Sequence, residues 1–395
     1  MPKILSYGTL RCLAPLTTVI VLLYFFFGCT EEVEIFNTVT AIDSILPPLP
    51  VDIPVPGENP ITPEKLDLGK QLFWDPILSG NKDVACATCH HPTKGYADGL
   101  DLSLGVGGVG IAERRTGGTL AKRNAHSVLN TAFNGIGPNL EVNPAMAPMF
   151  WDNRAMGLES QALLPLLSEE EMRGSDIPEN ALYDTLIKRL QRIPEYQLAF
   201  TKVFGDSIIT TDRIAIALAA FERSLVANNS PFDQYMRGDT SAMTQQQING
   251  MNAFVNIGCA ECHRGPMFSD FELHTLGVPD NPKLAESDAN GGTYAFRTPS
   301  LRNLSLTAPY MHSGVQTSLE EVMAFYEEVS EGDDDVINPN LSLGDIDPLA
   351  RQLELDDAGI EEIIAFMQAL NDPDFDLSIP NNVPSGLSVG GNIHN

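Results

Sequence analysis

Two copies of the pentapeptide C-x-x-C-H, Cys86-Ala87-Thr88-Cys89-His90 and Cys259-Ala260-Glu261-Cys262-His263, constrain this chain more than any other feature. Two thiols at this spacing reach both vinyl groups along one edge of a porphyrin, and the imidazole that follows turns under the ring to bind iron. Each pentapeptide therefore specifies one covalently attached haem c. Zinc is the competing chemistry for paired cysteines beside a histidine. Against it, the same helical pattern precedes both copies: Gly69-x-x-Leu72-Phe73 and Gly250-x-x-Ala253-Phe254. His91, next to the first iron ligand, is redundant for that purpose and is expected at the surface.

The repeated unit reads as a duplication. Thr62-Pro63-Glu64 is a helix start with proline at the first helical position, and Thr244 to Gln247 is a capping-box pattern. Each half closes with an apolar helix, Ile214 to Leu225 and Ile360 to Leu370, which must pack across the opening helix. No alternating strand pattern stands out, and Gly- and Pro-rich loops such as 105–110 and 134–148 are plentiful. The fold expected is mainly α, with two haem domains and long loops, because a large apolar cofactor replaces much of the side-chain core. The expected map is an N-terminal haem domain over 61–237, a C-terminal haem domain over 238–372 and a tail over 373–395.

Upstream, Lys3 and Arg11 precede an apolar run from Leu13 to Phe27 that is followed by Gly28-Cys29. This is the layout of an export signal over residues 1–29, with Cys29 as the lipidated first residue of a bacterial lipoprotein. A single transmembrane anchor is the alternative. Cysteine arithmetic agrees with the lipoprotein: Cys12 lies inside the signal, Cys29 carries the lipid, and the other four make the two pentapeptides. Residues 30–60, rich in proline, are expected to tether the body to the membrane. The chain would then sit in the bacterial cell envelope, facing the periplasm or the outer surface. With 24 Lys and Arg against 52 Asp and Glu, the net charge of −28 disfavours nucleic acid and favours basic partners.

Several further stretches carry a resemblance: Leu68 to Phe73, Arg123-Asn124-Ala125, Leu129 to Phe133, Phe150-Trp151-Asp152-Asn153-Arg154, Ala220 to Leu225, Leu301-Arg302-Asn303, and Ala308 to Gly314. In this order over residues 62 to 385 they resemble the bacterial di-haem cytochrome c peroxidase and MauG family. The resemblance implies two cytochrome c-like domains joined at an inter-haem interface. It places peroxide chemistry at the N-terminal haem and makes the C-terminal haem an electron relay.

The same resemblance assigns residues. Trp151 matches the indole between the haems, where it passes electrons by short hops; a core aromatic is the plainer fate of a tryptophan. Gln161, Pro165 and Glu171 match the distal pocket, with Glu171 as the carboxylate that moves a proton between the peroxide oxygens. Locally Glu169-Glu170-Glu171 reads as a solvated acidic run, and only the family register singles out Glu171. Asn124, Thr307 and Pro309 match an inter-haem calcium site of oxygen ligands. Tyr326 stands where family peroxidases place a methionine ligand of the second haem and MauG places tyrosine; Met323, one turn earlier, competes. The family's Tyr-x-x-Gly-Gly continuation is replaced here by Glu327-Glu328-Val329 and an acidic run over 331–335, read as a solvated loop or, less simply, a docking patch.

Many resting peroxidases also carry a loop histidine on the N-terminal iron, yet residues 101–122 contain none. His126 stands where the family often has proline and is the candidate replacement, against a structural role; His274 and His312 are read as structural. Three readings result: a peroxidase reducing hydrogen peroxide with electrons from a small cytochrome c or cupredoxin, a MauG-like oxidase of a protein or other substrate, and a di-haem electron carrier.

Overall fold

A computed structural model describes residues 42–394. The expected export signal, Cys29 and the first part of the tether lie outside them. Among the described residues, eight α-helices reach six residues or more: α1 Pro63–Trp74, α2 Glu179–Leu190, α3 Pro194–Phe204, α4 Thr211–Arg223, α5 Pro231–Met236, α6 Gln245–Ile257, α7 Leu319–Glu331 and α8 Asp357–Gln368. Strand among the described residues is confined to three two-stranded antiparallel ribbons: Gly108–Val109 with Thr116–Gly117, Pro148–Met149 with Ala155–Met156, and Leu273–Thr275 with Ala295–Arg297. No helix among the described residues is long and apolar enough to cross a membrane.

Two helix crossings organise the molecule. Helix α1 starts where the sequence predicts, with Thr62 accepting from the Lys65 amide and Pro63 in the first turn. Its buried face, Leu68, Leu72 and Phe73, packs on Leu218 and Phe221 of α4. The contact is possible because residue 69 has no side chain: a Cβ there would lie 2.0 Å from the Ala217 carbonyl oxygen. Helix α6, opened by a Thr244/Gln247 capping box, crosses α8 in the same manner, and a Cβ on Gly250 would lie 1.8 Å from the Glu362 oxygen. Phe232, Phe254, Phe268 and Phe366 interlock edge to face around this second crossing. Each pentapeptide follows its own opening helix, Cys86–Cys89 as one α-turn and Cys259–Glu261 as a 3-10 turn.

Two terminal segments differ from expectation. From Ile42 onward the proline-rich stretch is laid on the body: Ile42 and Leu46 join the α6/α8 core, Leu49 packs with Phe133 and Phe271, and Asn59 bonds Lys65 and Glu159. Apolar residues spaced among the prolines give it something to bury. The segment 373–395 returns to the N-terminal half, where Val383 and Ile393 enter the α1/α4 core. Its Gly390 carbonyl accepts from Thr88 inside the first pentapeptide (2.8 Å), and its Asn392 amide donates to the Asp83 carbonyl (2.8 Å). Residues 42–60 and 373–394 are therefore straps over the two haem-binding units.

Candidate active site

One continuous cavity of about 950 Å³ is lined by both pentapeptides. Cys86, Cys89, Cys259 and Cys262 are each half-buried against it. His90 bonds the Tyr96 carbonyl through Nδ1 (3.1 Å), and His263 bonds the Phe268 carbonyl likewise (2.8 Å). Both carbonyls belong to buried aromatic residues with positive φ, 59° and 53°. Tying Nδ1 to a carbonyl leaves Nε2 to bind metal, and burial lowers the proton affinity of both rings, keeping them neutral as ligands must be. Thiols opening on a space this large suit a macrocycle on each pentapeptide, whereas a structural zinc needs four ligands closed on one point.

In the His90 half the three consecutive glutamates are separated by a wide turn, Glu169–Arg173, capped by Ser168 accepting from the Glu171 amide (3.2 Å). Glu169 turns outward to pair with Arg173 and Glu170 is exposed, while Glu171 is half-buried on the cavity wall. Burial raises the Glu171 carboxyl, with Arg154 opposing and Glu170 adding to the shift. Gln161 and Pro165 line the same wall, and the Gln161 Oε1 is buried without a partner.

Between the halves, the Trp151 indole N–H donates to the Asn124 carbonyl (3.0 Å). His126 stacks on it with ring centroids 3.9 Å apart, and His312 meets it edge-on at 6.3 Å. The His126 ring is thus laid against Trp151, with its Nε2 enclosed and without a hydrogen-bond partner. The Asn124 amide nitrogen lies 2.8 Å from the Leu100 carbonyl and 3.3 Å from that of Pro309; Thr307 and Pro309 line the cavity beside it.

In the His263 half, Met323 and Tyr326 of α7 both border the cavity. Met323 is 3% exposed and belongs to the aromatic core around Phe254 and Phe366. The Tyr326 hydroxyl hydrogen-bonds to none of the described residues, and burial pushes its phenol well up, with the Cys262 and Cys259 sulfurs adding to the shift. His274 is clamped between Asp270 (3.2 Å) and Asp347 (2.7 Å); Asp270, then Cys262 and Asp347, raise it to about 11.

The chain is 35% identical to the methylamine utilization protein MauG of Methylophilus methylotrophus, over 84% of this chain and 91% of that protein. It belongs to the di-haem cytochrome c peroxidase family. The family's sequence profile, described as di-haem cytochrome c peroxidase, matches residues 63–241. The cytochrome c551 peroxidase of Pseudomonas aeruginosa is 31% identical over 83% of this chain and 84% of its own length. Among solved structures, a MauG-like protein associated with microbial copper homeostasis superposes with a TM-score of 0.65 at 27% identity, covering 82% of this chain and 95% of that one. Relatives of this chain thus include both MauG proteins and cytochrome-c peroxidases, and the di-haem family implies two haem c groups, here one at each pentapeptide.

Two side chains of this family member stand apart from the sequence reading. His91 is buried, with its ring edge-on to Trp74 at 5.5 Å and Nδ1 bonded to the Thr93 hydroxyl (2.8 Å). Only the folded contact with Trp74 could have revealed that. Glu222, inside the Phe221-Glu222-Arg223 motif, is 5% exposed on the cavity wall. Its neighbour Arg223 is bonded to Glu159, and the Glu222 carboxyl has no hydrogen bond or ion pair with any described residue. Burial drives it up to about 8, with Arg223 opposing and Glu159 adding. A charged residue on the buried face of α4 was the signal available in sequence.

Proposed function

We propose that this chain reduces hydrogen peroxide to two waters, consuming two electrons and two protons, with the electrons delivered by a small cytochrome c or cupredoxin. Haem held at His263 would receive them, and Trp151 would pass them on toward the haem held at His90. The observation that carries this reading is the cavity wall of the His90 half, where Glu171, with burial-raised proton affinity, shares the surface with Gln161 and its unpartnered oxygen. Haem bound at His90 supplies the iron that accepts peroxide and the electrons that break its O–O bond.

The side chains do the rest. Glu171 takes a proton from one peroxide oxygen and returns it to the departing one, a task suited to a carboxyl whose pKa lies above the ordinary range. Gln161 orients peroxide by hydrogen bonding, and Pro165 shapes the wall. Tyr326 would bind the iron of a haem held at His263, ahead of Met323, which is committed to the aromatic core. Asn124, with the carbonyls of Thr307 and Pro309, holds calcium between the haems; oxygen donors of this kind suit a hard cation. The chain is held in the bacterial envelope, facing the periplasm or the surface, by lipid at Cys29.

A MauG-like oxidase, spending peroxide on a protein or other substrate, is the second reading. Tyr326 and the lack of histidine in residues 101–122 favour it. Steady-state peroxide consumption with a reduced small cytochrome c separates the two. Stoichiometric oxidation of two cytochromes per peroxide supports the peroxidase. Rapid change of the haem spectra with no turnover of donor supports the oxidase, and inertness of oxidised and half-reduced protein alike removes both.

A further inference from the structure

Trp151 does not stand alone between the pentapeptides. His126 lies face to face with it, ring planes 27° apart; His312 meets its edge; and Phe296 stacks on His312 at 3.5 Å and 13°. These four rings form a column along the cavity that joins the two haem-binding units. One short segment builds the contact from both sides, because Asn124 supplies the carbonyl that takes the indole N–H and His126, two residues on, supplies the stacked ring. The Trp151 carbonyl is in turn fixed by the Arg297 amide (2.7 Å).

Imidazole is a poor choice if packing were its only task. Its Nε2 is enclosed and unpartnered, a desolvation cost that an apolar side chain of similar size avoids. Such a buried, unsatisfied polar ring in van der Waals contact with an electron-carrying indole calls for a functional account.

We propose that His126 and Trp151 work as one stacked pair in the transfer of electrons between the haems, with His126 as the positioning residue that fixes the indole and spreads the charge left on it. This rests on the reading of Trp151 as the bridge. Trp151 gives one electron to the His90 haem and regains one from the His263 haem, so the indole is unchanged over the cycle and no further reactant is needed. The indole keeps its proton throughout, because its hydrogen-bond acceptor is an amide carbonyl and not a base. A ring face against the indole stabilises the transient positive charge by the same attraction that holds cations over aromatic faces.

The test uses the di-haem holoprotein. Peroxide is mixed rapidly with half-reduced protein, and inter-haem electron transfer is followed optically in wild type, His126→Leu, His126→Phe and Trp151→Phe. His126→Leu should slow transfer about tenfold, whereas His126→Phe, which keeps a ring, should stay within about twofold of wild type. Both should hold the haem midpoint potentials and melting temperature of the parent. In a Trp151→Phe background His126→Leu should have no further effect. His126→Pro is the second variant without an aromatic ring: the His126 amide donates no hydrogen bond to any described residue, so proline removes the imidazole without removing a bond. Wild-type transfer in both His126→Leu and His126→Pro alongside slow Trp151→Phe would overturn the pair and leave the bridge standing. Failure of His126→Phe to restore the rate overturns it too. Wild-type transfer in Trp151→Phe overturns the bridge and the pair together.

Discussion

Gly69 meets the Ala217 carbonyl so closely that a Cβ on it would lie 2.0 Å from the oxygen. The approach sets the distance between α1 and α4, and with it the place of the first pentapeptide, which follows α1. The second crossing repeats the arrangement with Gly250 and Glu362. Because the obstructing atoms are backbone, no rotamer change relieves the clash.

Gly69→Ala and Gly250→Ala should each therefore cost about 3 kcal/mol, the upper end of overpacking penalties, despite alanine's better helix propensity. Urea unfolding of each holoprotein variant measures it. Stability equal to wild type would mean that the helices can part without cost.

Asp233 and Arg302 form a fully buried bidentate pair at 2.8 and 3.0 Å, and Asp233 also accepts from Ser230 and from the Leu49 amide of the N-terminal strap. Removing one partner strands the other charge, so Asp233→Ala should lose about 3–5 kcal/mol. It should also loosen residues 46–50, which hydrogen exchange at the Leu49 amide would report.

Glu222 makes stability fall as pH rises. Its carboxyl keeps its proton in the folded chain up to about 8, whereas the unfolded chain releases it near the ordinary 4.5. Stability from this group is thus full below pH 4.5, declines between there and about 8, and is flat above. Glu222→Gln should abolish that decline and gain up to about 5 kcal/mol over wild type at pH 9, relative to their difference at pH 4. Denaturant titrations at pH 4, 6.5 and 9 decide it; parallel curves for the two proteins would contradict the assignment.

Tyr326→Met should raise the midpoint potential of the His263 haem by on the order of 0.1 V or more, since a phenolate stabilises oxidised iron and a thioether does not. Met323→Leu should leave that potential in place. Spectroelectrochemistry of both variants distinguishes them, and the reverse pattern would assign the ligand to Met323.

What could be read in the sequence was local. The pentapeptides, the caps at Thr62 and Thr244, and the glycines at 69 and 250 announce themselves because helix starts and close crossings depend on residues within a turn or two. What escaped was set by distant chain. His91 is buried by Trp74, Ile42, Leu46 and Leu49 by cores formed far along the chain, and Val383 and Ile393 by the core of the N-terminal half, none of which a local pattern records. Glu171 could not be told from Glu169 and Glu170 by composition, and resemblance alone singled it out. The Ser168-capped turn supplies the physical difference: Glu170 and Glu171 both border the cavity, but only Glu171 is half-buried there, while Glu169 and Glu170 are exposed.

The account stands on the two haems being unequal, with peroxide cleaved beside Glu171. Stopped-flow mixing of peroxide with the diferric holoprotein, comparing wild type with Glu171→Gln, tests this most directly. The account predicts that the substitution leaves both haems attached and both resting spectra unchanged, while the peroxide-driven spectral change slows by about a hundredfold or more. An unchanged rate in Glu171→Gln would contradict it.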